Sequence, residues 1–348
     1  MNGILGLIAA ALGGLFLGVV LTRIVMTFGL VDAPTEARKI QSHPVPTSGG
    51  LGFAPAALMA AFIVSAFVEW RAGLPVLIAA VGAIPFLVLG FIDDRLRLDS
   101  MTKLIAMAVF SLALVLLGVS VELLIPAPGA VWPLPVAIAA LGSVLWLVMV
   151  VNAVNFMDGA NGLSMGMCAI AALGLAVVAA MGGMWDVATL LIALSGALAG
   201  FLVWNVPGRL FAGDAGALFT GAILAGASLL IVKGRPDWLL VPPTILAPWL
   251  VDVLLTIAWR GAKGKPIFSA HRDHVYQIAM KAGLKHSQVS AIHAVWAANA
   301  AALGVMAALV GSSAPLAVFV ALVVVSSIVH MRARKSGEKR GFVGKDVA

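Results

Sequence analysis

The sequence predicts an all-α, polytopic integral membrane protein with about eleven transmembrane helices, and three observations carry that prediction. Of 348 residues, 62% are hydrophobic and 11% charged, and the mean hydropathy is +1.09; soluble domains run about 45–50% apolar and about 25% charged. Uncharged apolar runs recur along the whole chain, each near the ~20 residues a helix needs to cross a bilayer. The apolar mass is Ala, Leu, Val and Gly, with only 7% aromatic residues, which lets helices approach closely in lipid. A single cysteine, Cys168, excludes a disulfide framework and a Cys-rich metal site.

In chain order the predicted spans are 4–21, 51–68, 74–91, 104–121, 134–151, 163–181, 187–204, 215–232, 238–258, 289–310 and 315–329. The first lacks a basic leader and a clear small-residue cleavage site, so it reads as a retained helix. Eleven spans put the termini on opposite sides, and the basic residues choose the orientation. One side holds Arg23, Arg38, Lys39, Arg95, Arg97, Lys103, Arg209, the six basic residues from Arg260 to Lys285 and the six from Arg332 to Lys345, which is 19 of the 22. Only Arg71, Lys233 and Arg235 fall on the other. The positive-inside rule makes the first side cytoplasmic, with the N-terminus outside and the C-terminus inside. Trp70, Trp132, Trp185 and Trp238 at the outer ends, and Trp204 and Trp259 at the inner ends, fit an aromatic belt. The net charge of +7 is therefore a topology signal and not a nucleic-acid signal. Residues 1–331 read as one membrane-embedded domain, and 332–348 as a basic cytoplasmic tail, solvated or lipid-facing.

Every dense polar cluster other than Lys and Arg falls on the cytoplasmic side, in segments 32–50, 92–103, 152–162, 205–214 and 260–288. Asp93, Asp94, Asp158 and Asp214 are hard oxygen ligands of the kind Mg²⁺ accepts one or two at a time beside substrate phosphates. Asp93 and Asp94 are adjacent, so on a helix their side chains diverge and one of them faces a shared ion. Asn152, Asn155 and Asp158 recur every three residues and would share a face if the fifth span ran that far. Gly213-Asp214-Ala215-Gly216 at the start of the eighth span would place open backbone N–H groups and a positive helix end beside an acid, a seat for diphosphate and metal. His271, Arg272 and His274 can grip phosphate oxygens. Each piece alone has a plainer reading, as a solvated cap, a turn or a packing glycine. Asp252, inside the ninth span, is either functional or paired. The conjunction of five such loops on one side is what points to a shared site.

Together these loops resemble the polyprenyl-phosphate N-acetylhexosamine-1-phosphate transferases, multi-spanning enzymes that start bacterial cell-envelope glycans. The resemblance rests on Asn152-x-x-Asn155-x-x-Asp158-Gly-x-x-Gly-Leu163 and Phe211-x-Gly213-Asp214-x-Gly216, with Asp93-Asp94 and the 271–277 loop in the family's order. It implies transfer of a sugar 1-phosphate from a UDP-N-acetylhexosamine to undecaprenyl phosphate, releasing UMP, with Mg²⁺ (or Mn²⁺) as cofactor. It also implies a site on the cytosolic face of the bacterial inner membrane, and is compatible with a homodimer. By position, Asp214 is expected to bind the metal and Phe211 to stack on uracil. Asp93, Asp94, Asp158, His271, Arg272 and His274 are expected to be catalytic; Lys39, Thr47, Asn152, Asn155 and Asn205 are expected to contact substrate.

The sequence departs from the family in places. It has Pro-Thr47-Ser48-Gly where many members carry Arg, Gln41 where His is frequent, and Ala217 where Ser is usual. The stretch from Asn205 to Asp214 is one residue short, and the fifth loop reads His-Arg-Asp-His-Val-Tyr-Gln. That last form is similar to the branch that initiates O-antigen or exopolysaccharide synthesis. A secondary transporter is the alternative, but transporter sites lie near the midplane on broken helices, and here only Asp252 does. A CDP-alcohol phosphotransferase would need Asp-Gly-x-x-Ala-Arg, and no Arg follows Asp158-Gly159.

Overall fold

The computed structural model describes residues 3–28, 31–32, 45–68, 73–266 and 271–343. With no water to bind backbone groups in lipid, the apolar runs close their hydrogen bonds within helices. These are α1 (Gly3–Phe28), α2 (Gly50–Phe67), α3 (Leu74–Gly82), α4 (Ile84–Leu96), α5 (Ser100–Leu116), α6 (Val136–Phe156), α7 (Ser164–Met181), α8 (Trp185–Asn205), α9 (Gly213–Gly234), α10 (Val241–Ile245), α11 (Ala247–Ala262), α12 (Val275–Lys281), α13 (His286–Val310) and α14 (Ala314–Lys339). Two short antiparallel pairs, β1 (Val31–Asp32) with β2 (Val45–Pro46) and β3 (Leu123–Ala127) with β4 (Ala130–Pro133), are the only strands among the described residues.

Nine helical stretches in the described residues are long and apolar enough to cross a membrane, with α3 and α4 counting as one span, Leu74–Leu96. The remaining two predicted spans differ from expectation. The ninth is broken: the segment ending in α10 and the helix α11 meet at 73°. Pro242 and Pro243 lie in the first turn of α10 and Pro248 in that of α11, where a missing backbone donor is tolerated but a single continuous helix would clash. The fourth, α5, starts earlier and has 17 residues, about 25 Å at 1.5 Å per residue. The chain after it forms the β3–β4 hairpin.

α9 is the central element. Its membrane segment is entirely enclosed by protein, packed by α4 on one side and α6 on another, with α2, α3, α7 and α8 around it. Gly and Ala make that enclosure feasible by letting neighbouring backbones come close. The same device joins α1 to α8. Gly14 and Gly18 face Gly196 and Gly200, and a Cβ at Gly14 or Gly196 would lie 2.3 or 2.2 Å from a carbonyl oxygen of the other helix.

Two expectations at the ends of spans are corrected. Trp238 is not a lipid-interface belt residue: it is 3% exposed, under Arg235 with 4.1 Å from guanidinium to ring centroid. The chain beyond residue 331 is not all solvated: α14 continues to Lys339, and Arg334 is buried against the protein.

Candidate active site

The acidic pair closes α4. Arg97 takes a left-handed φ of 52° as the helix ends, and Asp93 Oδ1 accepts from Leu98 N at 2.8 Å. Asp99 then caps α5, accepting from Met101 N and Thr102 N. That turn sends α5 back so that Lys103, one turn in, reaches Asp93 Oδ2 at 2.6 Å. The same ammonium also pairs with Asp214 Oδ2. Asn155 completes the cluster: with its nitrogen toward Asp214 Oδ1 and its oxygen toward Lys103 Nζ, both contacts are 3.0 Å. Two carboxylates from two helices, Asp93 on α4 and Asp214 on α9, thus gather around one ammonium and one amide.

Asp94 points elsewhere. Its carboxylate accepts from Asp214 N at 3.0 Å and Ala215 N at 3.3 Å, so it caps the N-terminus of α9. The open N–H groups expected there for a diphosphate are therefore already occupied by a protein carboxylate, which the positive helix end favours in the same way. This also separates the roles of the pair: Asp94 fixes the tip of α9, and Asp93 joins Lys103 and Asp214. The tip is held from the backbone side too. Gly213 has a φ of +71°, and a Cβ on it would meet Thr47 O at 2.3 Å; one on Gly90 would meet the Asp214 carbonyl carbon at 2.3 Å. Asp214 remains the most open of the cluster, its side chain 30% exposed against 11% for Asp93 and 15% for Lys103.

The other expected residues are placed as follows. α6 ends at Phe156, so Asp158 sits in the following loop and not on the helix face with Asn152 and Asn155. Burial, then the charges of Asp214 and Asp94, push its carboxyl up to about 7. Asn152 donates back to Val148 O at 2.8 Å, and Asn205 uses both ends of its amide to brace loops, accepting from Gly162 N and donating to Leu210 O. Phe211 is half-buried, its backbone paired with Pro46 O and Gly49 N, which lays segment 46–50 alongside the 211–213 turn. Lys39 lies outside the described residues.

The 271–277 loop packs against the end of α6 and the loop that carries Asp158. Tyr276 donates from its hydroxyl to Phe156 O at 3.2 Å, and the His274 ring lies 6.0 Å from Phe156, 5.1 Å from His271 and 6.2 Å from Tyr276. Burial, followed by the neighbouring His274 and Arg260, lowers His271 to about 4. Its ring is therefore neutral at pH 7, a hydrogen-bonding group and not a cation. Sequence reasoning counted Lys103, His330 and Arg334 only as topology or span residues. The signal available was a lone basic residue one turn inside an apolar helix, and a His/Arg pair four apart on one face.

A family model for glycosyl transferase family 4 matches residues 76–232, which takes in Asp93, Asp94, Lys103, Asn155, Asp158 and Asp214. The chain is 31% identical over 300 residues to the decaprenyl-phosphate N-acetylglucosaminephosphotransferase of Mycobacterium tuberculosis, covering 77% of this chain and 73% of that one. The chain belongs to glycosyl transferase family 4. It is also 28% identical over 287 residues to a probable undecaprenyl-phosphate N-acetylglucosaminyl 1-phosphate transferase of Bacillus subtilis, with 81% and 78% covered. To the phospho-N-acetylmuramoyl-pentapeptide-transferase of Desulforudis audaxviator it is 32% identical over 262 residues, with 68% and 76% covered. Each of these three alignments covers more of the chain than the family model does.

Proposed function

We propose that this chain moves a sugar 1-phosphate from a UDP-N-acetylhexosamine to a polyprenyl phosphate, undecaprenyl phosphate in a bacterial inner membrane, and so begins a lipid-linked envelope glycan. The observation that carries this reading is the fixed cluster of Asp93, Asp214, Asn155 and Lys103, with Asp214 its most open carboxylate. The relatives named above act with decaprenyl phosphate, undecaprenyl phosphate or a muramoyl peptide by their names, and all name an N-acetyl sugar. The form of the 271–277 loop favours an O-antigen or lipopolysaccharide-type product.

Among the described residues no three His, Cys, Asp or Glu side chains converge as a complete metal cage. That fits Mg²⁺, which takes one or two carboxylates and fills its shell from phosphates and water; Mn²⁺ would be held by the same oxygens. Asp214 would hold the ion, with Asp93 beside it, and the ion would neutralise charge on the diphosphate. An oxygen of the lipid phosphate forms a bond to the β-phosphorus as the bond to the bridging oxygen breaks, and that oxygen leaves with UMP. A phosphomonoester has a second pKa near 6 and is mostly dianionic at pH 7, so no base needs to remove a proton. The protein's work is alignment and charge neutralisation. Lys103 fixes the carboxylates in place, and Arg272 supplies a grip on phosphate. The test is to incubate membranes carrying the chain with undecaprenyl phosphate and a panel of UDP-sugars. UMP release with a lipid-linked product is expected for an N-acetylhexosamine donor, and none with any donor would overturn the reading.

Arg272→Ala should remove a charge-assisted phosphate grip of about 1.5–3 kcal/mol, a ten- to hundredfold drop in kcat/KM. Lys there should restore part of it, lacking the bidentate fork. Full activity in Arg272→Ala would take that residue out of the site.

The cytosolic orientation rests on the basic-residue asymmetry. In a Cys168→Ala background, Lys263→Cys, just past α11, should resist an impermeant maleimide in intact cells. Pro128→Cys, at the β3–β4 hairpin tip, should react. Both positions are exposed; the reversed pattern would place the site on the outside.

A further inference from the structure

We propose that Asp252 is a positioning residue that holds the His274 imidazole, and that the last helix completes this hold through His330 and Arg334. This rests on reading His274 as a residue of the transferase site. Asp252 lies inside α11, 1% exposed, where a carboxylate persists only with partners. Its Oδ1 accepts from Val275 N at 3.1 Å and Thr256 Oγ1 at 3.3 Å, and lies 3.3 Å from His330 Nδ1. Its Oδ2 lies 3.5 Å from His274 Nδ1.

The protonation of His330 follows from its other neighbour. Arg334 Nε donates to His330 Nε2 at 3.2 Å, and an arginine only donates. His330 Nε2 is therefore the lone-pair nitrogen, and its proton sits on Nδ1, toward Asp252. Oδ1 already accepts two hydrogen bonds and faces His330 Nδ1, while Oδ2 accepts none and faces His274 Nδ1. Holding a histidine by one nitrogen leaves the opposite one for a ligand and fixes the ring's orientation. The Phe156, His271 and Tyr276 rings around it allow the His274 ring little other freedom.

The backbone of the loop is held by the same group of residues. Arg334 Nη2 donates to Thr256 Oγ1 at 2.6 Å and to Asp273 O at 2.9 Å. Arg260 pairs with the Asp273 carboxylate, both wholly buried, and Lys281 Nζ ties Arg272 O to Phe342 O. Residues far apart in sequence, on α11 and α14, thus converge on one short catalytic loop. That convergence is stronger than burial of an intramembrane acid alone would require.

The test is a double-mutant cycle on the full chain in detergent, with Asp252→Asn and His274→Ala alone and together. Asp252→Asn is expected to lower kcat about ten- to hundredfold, the range typical of groups that orient a ligating histidine. Added to His274→Ala, it should change kcat less than about twofold, because its partner is already gone. Losses that multiply, or full activity in Asp252→Asn, would overturn the proposal. Hydrogen–deuterium exchange gives a readout independent of turnover: faster exchange in 271–277 of Asp252→Asn, with α9 unchanged, is expected, and unchanged exchange in that loop would refute the hold. Should Asp252→Asn fail to insert, Asp252→Glu is read by the same two measurements. A parent that releases no UMP from any donor would count against the transferase reading, while the exchange result would still decide the role of Asp252.

Discussion

Asp214→Asn should insert and fold like the parent yet lose at least about a hundredfold in turnover, roughly 2.7 kcal/mol at 1.36 kcal/mol per decade. The size of the side chain is kept, and the backbone of α9 is held independently by Asp94 on the Asp214 and Ala215 N–H groups. What disappears is the negative charge on the most open oxygen pair of the cluster. Mg²⁺–UDP-sugar should then bind poorly, since an amide is a far weaker partner for a hard dication. The measurements are Mg²⁺-dependent UDP-sugar binding and turnover in detergent, with Asp93→Asn alongside. The latter should keep most donor binding and lose turnover if Asp93 orients the lipid phosphate. Parent-like binding of Mg²⁺–UDP-sugar by Asp214→Asn would move the ion to Asp93 or Asp158.

Lys103→Met carries the second large effect, and it has a signature of its own. The Lys103 ammonium is the one cation seen between Asp93 and Asp214 among the described residues, and the Asn155 oxygen also faces it. Removing it leaves neighbouring carboxylates facing each other, partly buried, with an amide oxygen unpaired. Turnover should fall about a hundredfold because the two acids lose their fixed spacing, on which alignment depends. Mg²⁺ binding without donor should move the opposite way and tighten, because the ion no longer competes with a bound ammonium for the same oxygens. Lys103→Arg should recover only part of the turnover, since its planar fork is larger and differently directed. Turnover within threefold of the parent in Lys103→Met would reduce Lys103 to a structural counter-ion.

The contrast between Lys103 and the apolar spans shows what the sequence reveals and what it hides. A lipid-crossing helix must be apolar over most of ~20 residues, so the span positions are written in composition and ten of the eleven map onto crossing segments, the ninth as a bent pair. The acids Asp93, Asp158 and Asp214 were visible because carboxylates beside glycines at span ends have few other reasons to be there. The pairings were not visible. A lysine at a membrane end reads as an orientation charge, and only the turn capped by Asp99 brings Lys103 back across ten residues to Asp93. The divergence of Asp93 and Asp94 is legible in the sequence, because a helix rotates adjacent residues apart; the α9 N-terminus as the destination of Asp94 is not. Arg334 looked like part of a basic tail because nothing in its own segment announces Asp273 and Thr256 as partners. Long-range contacts between helices leave no periodic trace.

The enclosure of α9 has a consequence for how the enzyme should respond to its surrounding lipid. When acyl chains are shorter or longer than a protein's apolar girth, the strain is taken up by elements that touch lipid, through tilt or local deformation. α1 and α14 are such elements, with only 22% and 17% of their membrane segments enclosed. α9 touches none, and it carries Asp214 at its tip. A change of bilayer thickness should therefore rock the periphery while the acid cluster, tied to α4 and α6, keeps its spacing. Through α14 such rocking reaches the 271–277 loop, so rates in thin and thick bilayers should differ more through that loop than through the spacing of the acid cluster.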